Sequence, residues 1–352
     1  MTLHLLPEFT HERVTTAVGR RSGLTMAVAL HSSALGPGLG GCRMWRYGHW
    51  SDGIGDVLRL SAAMTLKNAL ADIGYGGGKA VIALGPDDEL DAERRTAALH
   101  DMGDLVEQFD GAYITAEDVG TTEHDMLVVH ERTRHVVGLP PEEGGEGEPA
   151  DGTALGVFVS IERTFAELDG RRDLSGRRII ISGLGQVGGR LARRLAAAGA
   201  SLAVTDIVPS RRALADEIGA DWIDVDAALT TPGDLFVPAG LGGVLTDETI
   251  DALPVRAVVG PANNALADRS GAARLAARGI LYAPDFLVNA GGVIHLALAS
   301  KGASIDDIER RLHGIGDTLD EVFAAARADG VTPLDAAEAL AVARVRGGRV
   351  SA

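Results

Sequence analysis

Apolar positions along this chain of 352 residues switch between a period near two, a period near 3.6 and continuous runs, and each switch predicts an element. Residues 15–18 and 25–30 alternate or run apolar between turn residues, so they are read as strands with a hairpin at 19–23. From about 52 to 72, Val57, Leu60, Met64, Leu66 and Leu70 recur as the stripe of an amphipathic helix, with Lys67 on or beside it. Residues 80–84 form an apolar strand, 91–108 a second helix, and 112–116 a strand that breaks into a polar turn at Glu117-Asp118. A helix follows near 121–130. The charged, Gly- and Pro-rich stretch 140–149 marks a domain boundary.

The second half reads as strands alternating with helices. Residues 178–182 are a continuous apolar run of the kind buried in a parallel sheet, and a glycine-rich turn and a helix over 190–198 follow. Further strands at 202–205, 234–237, 255–259 and 279–283 each end in small or polar residues. Helices near 304–329 and 332–344 close the chain, the last expected to pack back on the first domain. The predicted fold class is therefore α/β with two domains. Residues 1–150, completed by a C-terminal helix at about 330–352, form the first domain, and 151–329 form a second, Rossmann-type domain.

Composition changes this picture in few places. Glycine is abundant at 46 residues and aromatics make up 4%, which suits many tight strand-to-helix turns. A formal charge of −16 argues against a nucleic-acid or anionic-membrane surface. The one cysteine, Cys42, excludes an intrachain disulfide and a cysteine-based metal cluster. No metal is expected. With no signal peptide or membrane-spanning run visible, a reducing cytoplasm is the expected compartment.

Three places carry candidate chemistry. The first is the stretch from Met64 to Ile82, where Lys67 and Lys79 bracket the run Gly76-Gly77-Gly78. Three consecutive glycines cost backbone entropy and persist where something must approach the backbone closely. A lysine after them, leading into an apolar strand, is placed where burial favours the neutral amine. One lysine would hold an anion and the other would do acid/base work; the alternative is two solvated lysines and a glycine-rich turn before a strand. The glycine-dense residues 35–45 offer N–H groups to a carboxylate, or form a structural turn. The second place is Asp118, a carboxylate just past a strand end, where the alternative is a helix cap by Asp118 or Thr121. The third is Gly183-Leu184-Gly185-Gln186-Val187-Gly188, G-x-G-x-x-G between a strand and a helix, with Asp206 closing the next strand 23 positions on. Gly183 permits the turn, Gly185 lets a pyrophosphate approach, Gly188 lets helix and strand pack, and Asp206 can accept both ribose hydroxyls of NAD while repelling a 2′-phosphate. The adjacent Asn263 and Asn264 follow a strand end, where an open parallel sheet binds ligands.

The motifs Leu39-Gly-Gly-Cys-Arg-Met, Met64-Thr-Leu-Lys-Asn-Ala, Gly76-Gly-Gly-Lys, Thr115-Ala-Glu-Asp-Val-Gly-Thr-Thr, Gly183-Leu-Gly-Gln-Val-Gly-Gly, Gly260-Pro-Ala-Asn-Asn and Asn289-Ala-Gly-Gly-Val recur over nearly the whole chain. In this order they resemble the glutamate, leucine, phenylalanine and valine dehydrogenase superfamily, and the length resembles its leucine/valine/phenylalanine branch. The resemblance implies NAD-dependent, reversible oxidative deamination of an L-amino acid to the 2-oxo acid and ammonia, by a homo-oligomer. It implies that Lys67 holds the substrate carboxylate with Gly40, Gly41 and Asn264, that Lys79 activates water, and that Asp118 shuttles protons of the amino group. Thr153, Asp206, Ile207, Ala239, Gly240, Ala262 and Asn263 would contact NAD, with Arg43 near the cofactor. The resemblance also implies that the first domain serves substrate binding and oligomerisation, with a cleft between the two domains whose closure would exclude water.

The resemblance also bears on substrate. The glutamate branch has a lysine where Leu39 stands, so a side-chain carboxylate would lose its partner here. Val293 and Leu296 would line the same pocket, which implies an apolar amino acid. Branched-chain substrates are favoured, while Ile294-His295-Leu296 is similar to phenylalanine members, and one methylene is worth only about 1–3 kcal/mol of discrimination. Three readings stand: a branched-chain dehydrogenase, the same chemistry on Phe or Trp, and a non-catalytic NAD-binding relative, against which the two lysines and Asp118 argue. One departure is notable. The family's Pro-Ser-Pro before the hinge threonine reads Glu148-Pro-Ala-Asp-Gly-Thr153 here, which bears on hinge geometry, cofactor contacts or substrate preference.

Overall fold

A computed structural model describes residues 10–143, 145 and 149–348. The reading of the first nine residues, part of the 140–149 boundary including Glu148, and the last four residues lie outside the described residues. The chain forms two compact units, the first of residues up to 148 with 296–302 and 341 onward, the second of 149–295 and 303–340. This division differs from the sequence-based one at 296–302 and 330–340.

The first unit contains β1 (Arg13–Val18), β2 (Thr25–Ser32), β3 (Gly38–Leu39), β4 (Cys42–Arg46), α1 (Trp50–Ala71), β5 (Gly76–Leu84), α2 (Ala92–Glu107), β6 (Tyr113–Ile114) and α3 (Glu123–His130). The strands make one sheet in the order β1-β2-β5-β3-β6, with β4 also pairing β5. β1 and β2 are antiparallel, as the hairpin reading expects, and β3 and β4 run parallel to β5. Alternation along β5 sorts its side chains. Ala80, Ile82 and Leu84 join Met26, Val28 and Leu30 in the core beneath α2, whereas Val81 and Ala83 join Ala27 and Ala29 under α1. Lys79 has the parity of Val81 and therefore faces α1.

Two expectations change here. β5 begins at Gly76, so the glycine run is strand rather than turn, and every residue of the strand is buried. The approach that the glycines permit comes from the protein itself: a Cβ on Gly77 would overlap Thr65 of α1, one on Gly78 the Tyr113 ring, and one on Gly76 the Ser32 carbonyl. Of the glycine-dense residues 35–45, 35–37 form a turn and bend while 38–39 and 42–46 form β3 and β4, and at Gly40 between the strands neighbouring backbone leaves no room for a side chain. The helices α1 and α2 match their predicted spans closely, capped by His49 and Asp91. The cap of α3 is Thr122, whose hydroxyl accepts the Asp125 N–H, so neither Asp118 nor Thr121 fills that place.

The second unit contains α4 (Ala150–Asp169), β7 (Arg178–Ser182), α5 (Gln186–Ala197), β8 (Ser201–Thr205), α6 (Arg212–Ile218), β9 (Asp221–Trp222), β10 (Leu235–Pro238), α7 (Asp247–Ala252), β11 (Ala257–Val258), α8 (Gly271–Ala277), β12 (Leu281–Tyr282), α9 (Asp285–Val288), most of α10 (Gly291–Ala299), α11 (Ile305–Asp329) and the start of α12 (Pro333–Gly347). Its sheet has the order β12-β11-β10-β7-β8-β9 with every pairing parallel. Numbered within the unit this is 6-5-4-1-2-3, the doubly wound order whose direction reverses between β7 and β10. The helix after β7 starts at Gln186 rather than 190, since Gly188 and Gly189 lie inside its first turn. Periodicity reading passed over α4 and β9. Among the described residues no helix is long and apolar enough to cross a membrane.

Candidate active site

In the first unit the strand registers set the chemistry. β4 pairs β5 with Cys42 opposite Ala80 and Arg43 opposite Val81. Cys42 therefore points into the α2 core, where burial pushes its thiol up to about 12. Arg43 shares the α1 side with Lys79. Asp118, from the turn after β6, reaches both: Lys79 Nζ lies 2.9 Å from its Oδ1, and Arg43 Nε donates to its Oδ2 at 2.8 Å. Lys79 is 4% exposed, so Asp118 is its anionic partner in a largely dry setting. Burial pushes the Asp118 carboxyl up, but the Lys79 and Arg43 cations outweigh it and hold the group below the usual carboxylate range. Arg43 Nη1 is 2.9 Å from Asp56 Oδ2 on α1, and Asp56 also accepts from the Tyr47 hydroxyl at 2.8 Å and pairs with Arg59 at 2.6 Å.

The other residues predicted for substrate are placed as follows. A Cβ on Gly41 would stand 2.8 Å from Asp118 Cβ, so only glycine lets β4 lie this close to the turn. The Gly40 N–H donates to Ile114 O and its carbonyl accepts from the Tyr113 hydroxyl, so Gly40 is used by the sheet. Lys67 is half-buried on α1. Its neighbour Asn68 donates to Leu39 O at 3.0 Å and Gly76 O at 2.6 Å, which ties the helix carrying Lys67 to β3 and β5. Leu296 packs beside Gly138, where a Cβ would stand 3.6 Å from its Cδ2. Val293 lies one helical turn back on α10, in the second unit.

In the second unit the cofactor candidates gather at the carboxyl edge of the sheet, on either side of the reversal. Gly183 has φ +110 and a Cβ there would stand 2.7 Å from the Ala239 carbonyl carbon. Leu184 N–H donates to Asp206 Oδ2 at 2.6 Å and Val208 N–H to Oδ1 at 2.8 Å, fixing the carboxylate beside the turn. At Gly185 an added Cβ meets nothing within 4 Å, the open approach a pyrophosphate needs at the N-terminus of α5, whereas at Gly188 it would overlap the Gly183 carbonyl. Ile207 is 80% exposed next to Asp206. Ala262 N–H donates to Pro238 O, and Gly240 follows Ala239 in the same turn. Asn263 Oδ1 accepts from Asn289 Nδ2 at 3.0 Å, and Asn264 adopts φ +53. Thr153 lies in the first turn of α4, its hydroxyl on Pro149 O. The residues present fit a dinucleotide. In place of the family's second proline, Asp151 takes an exposed first-turn position with Arg194 at 3.5 Å.

Sequence reasoning gave no role to Asp56, Tyr47, Asn68, Tyr113 or Asn289. Asp56 had a signal, a carboxylate beside the apolar Val57 and Leu60. Tyr113 had none, because its ring serves a glycine on a strand far away in sequence.

The family model for "Glu/Leu/Phe/Val dehydrogenase, dimerisation domain" matches residues 9–135, and that for "Glutamate/Leucine/Phenylalanine/Valine dehydrogenase" matches 203–349. The chain is 37% identical over 341 residues to leucine dehydrogenase of Thermoactinomyces intermedius, covering 97% of this chain and 92% of that protein. It is 39% identical over 351 residues to valine dehydrogenase of Streptomyces virginiae, with 96% and 95% covered. The solved structure of L-tryptophan dehydrogenase from Nostoc punctiforme aligns with a TM-score of 0.84 at 33% identity, covering 96% of each chain. The protein belongs to the Glu/Leu/Phe/Val dehydrogenase family and is an L-amino acid dehydrogenase.

Proposed function

We propose that the protein is an NAD-dependent dehydrogenase of apolar, branched-chain L-amino acids, and the observation that carries the reaction is the buried Lys79–Asp118 pair at 2.9 Å. NAD, when bound, supplies the acceptor for the hydride that leaves the substrate Cα. The Lys67 ammonium holds the α-carboxylate, and of the two glycines Gly41 is the N–H donor, since Gly40 donates to Ile114. Asn264 keeps, on resemblance, the role of a carboxylate donor. Asp118 takes a proton from the substrate amino group at Oδ1, and the Lys79 amine takes one from the water that attacks the imino carbon. Asp206 receives the ribose hydroxyls. Leu39 supports the substrate class, because a side-chain carboxylate there meets an apolar side chain in place of the lysine of the glutamate branch.

A second reading, an aromatic substrate, is supported by the likeness to L-tryptophan dehydrogenase and by the missing side chain at Gly138 beside Leu296. A homo-oligomer is proposed because residues 9–135 match a model described as a dimerisation domain. A reducing cytoplasm agrees with the single, buried cysteine.

NADH formation over a panel of L-amino acids tests the substrate, with Lys79→Ala as control. Leu, Val and Ile should exceed Phe and Trp in kcat/KM, and Lys79→Ala should lower kcat by about 10²- to 10⁴-fold. Activity confined to Phe and Trp would overturn the branched-chain reading. Full activity of Lys79→Ala would remove Lys79 from the chemistry.

A further inference from the structure

Asp118 has two carboxylate oxygens and each is held by a different cation. Oδ1 faces Lys79 and Oδ2 accepts from Arg43 Nε at 2.8 Å. Arg43 is in turn held from behind: its Nη1 lies 2.9 Å from Asp56 Oδ2, and that oxygen also accepts the Tyr47 hydroxyl. A guanidinium is suited to this because its planar fork presents Nε and Nη1 to two carboxylates at fixed geometry, which a lysine cannot do. The anchoring is also directional. β4 supplies Arg43 and the following helix α1 supplies Asp56, so the arginine is fixed by secondary structure on both sides.

We propose that Arg43, braced by Asp56, is a positioning residue for the deamination chemistry: it occupies Oδ2 so that Oδ1 alone serves Lys79 and the substrate amino group, and its charge keeps Asp118 ionised and ready to accept a proton. The inference rests on Asp118 being the proton carrier. It reassigns Arg43 from the cofactor contact that the resemblance implies to the acid/base cluster.

Charged and titratable groups from several elements stand near Asp118. Lys79 comes from β5, Arg43 from β4, and Asp56, Tyr47 and Arg59 stand behind Arg43. Cys42 and Tyr113 lie on the far side of the sheet, both kept protonated by burial, and beyond Cys42 Arg95 is paired with Asp125. Glu117 is the adjoining carboxylate, its backbone bridged to Cys42. Arg43 and Lys79 are the cations whose charge and hydrogen bonds hold Asp118 below the usual carboxylate range. Removing the Arg43 charge makes Asp118 hold a proton more tightly. The readout is the apparent acid limb of kcat/KM for deamination, which reports the essential acid and base of the free enzyme.

The test is that pH profile for Arg43→Gln, Arg43→Lys and Asp56→Asn, with Asp118→Asn as control and thermal melts to verify folding. Arg43→Gln should move the acid limb up by about 1 pH unit. Arg43→Lys, which keeps the charge and loses the fork, should leave the limb in place and lower kcat. Asp56→Asn removes a negative charge behind Arg43, so its limb should stay or move to lower pH, opposite in sign to Arg43→Gln. A limb unmoved in folded Arg43→Gln overturns the proposal, as does a rise confined to the KM for NAD, which would return Arg43 to the cofactor. An unfolded Arg43→Gln leaves the decision to the other two variants, where wild-type kcat in both overturns it. If Asp118→Asn keeps full activity, the fault lies instead in the assignment of Asp118.

Discussion

The glycines of Gly76-Gly77-Gly78 show how little a single residue type says about its own purpose. The run invites a ligand, yet Thr65, Tyr113 and the Ser32 carbonyl already occupy the space that a Cβ would take. Its contribution to the site is indirect: it lets α1 settle on β5, the strand whose parity turns Lys79 toward α1 and Asp118. Gly77→Ala should therefore destabilise the protein by about 1–3 kcal/mol through overpacking against Thr65 backbone. Calorimetry should show a lower Tm, and an unchanged Tm would mean that α1 can shift outward at no cost. Gly185 is the opposite case. Nothing of the protein stands over it, so the ligand reading drawn from its place in the motif keeps its physical basis. Lys79 and Asp118 were legible as candidates from residue type and position, whereas Arg43 was legible only as a basic residue near a glycine turn.

At the scale of elements, the helix that carries Lys67 is finished by residues from far along the chain. The last turn of α1 has no basic side chain of its own, and Asp72 caps it in the left-handed region at φ +51. Arg344 donates to Ala69 O and Leu70 O, and Lys301 Nζ donates to Ile73 O while lying 4.1 Å over the Tyr75 ring. Cations at a helix C-terminus are favourable and satisfy carbonyls that lack an intrahelical partner. Arg344→Ala should destabilise the first unit by about 1 kcal/mol. It should also raise KM for the amino acid more than it lowers kcat, because Lys67 loses definition while Lys79 and Asp118 keep theirs. Steady-state kinetics with varied amino acid measures the split, and equal effects on both parameters would disconnect the helix end from carboxylate binding. Helix spans such as α1 and α2 could be read from period alone, but β3 and β4 could not. The two strands are short, the glycines of 36–41 carry no periodicity, and the pairing partners are remote in sequence.

For the whole molecule the decisive question is which dinucleotide it uses. Asp206 is pinned by Leu184 and Val208 N–H groups, so its negative charge cannot swing away from an incoming 2′-phosphate. The exposed Arg211 and Arg212 follow it closely in sequence. Asp206→Ser should lower the preference for NAD over NADP by about tenfold or more, equivalent to about 1.4 kcal/mol of repulsion removed. Comparison of kcat/KM with the two cofactors measures it; an unaltered ratio would locate the discrimination elsewhere. The sequence by itself determined the parallel-sheet unit, its glycine turn and the place of Asp206, because buried parallel strands read as apolar runs and the motif lies within one strand–turn–helix segment. It also determined which lysines and which aspartate to suspect. Only the tertiary structure decided what they touch. The register of β4 on β5, the parity of Lys79 and the approach of α1 bring Arg43, Asp56, Lys79 and Asp118 into one cluster from positions as far apart as Arg43 and Asp118. Such pairings are set by side-chain packing between distant segments, and no local pattern of residues encodes them.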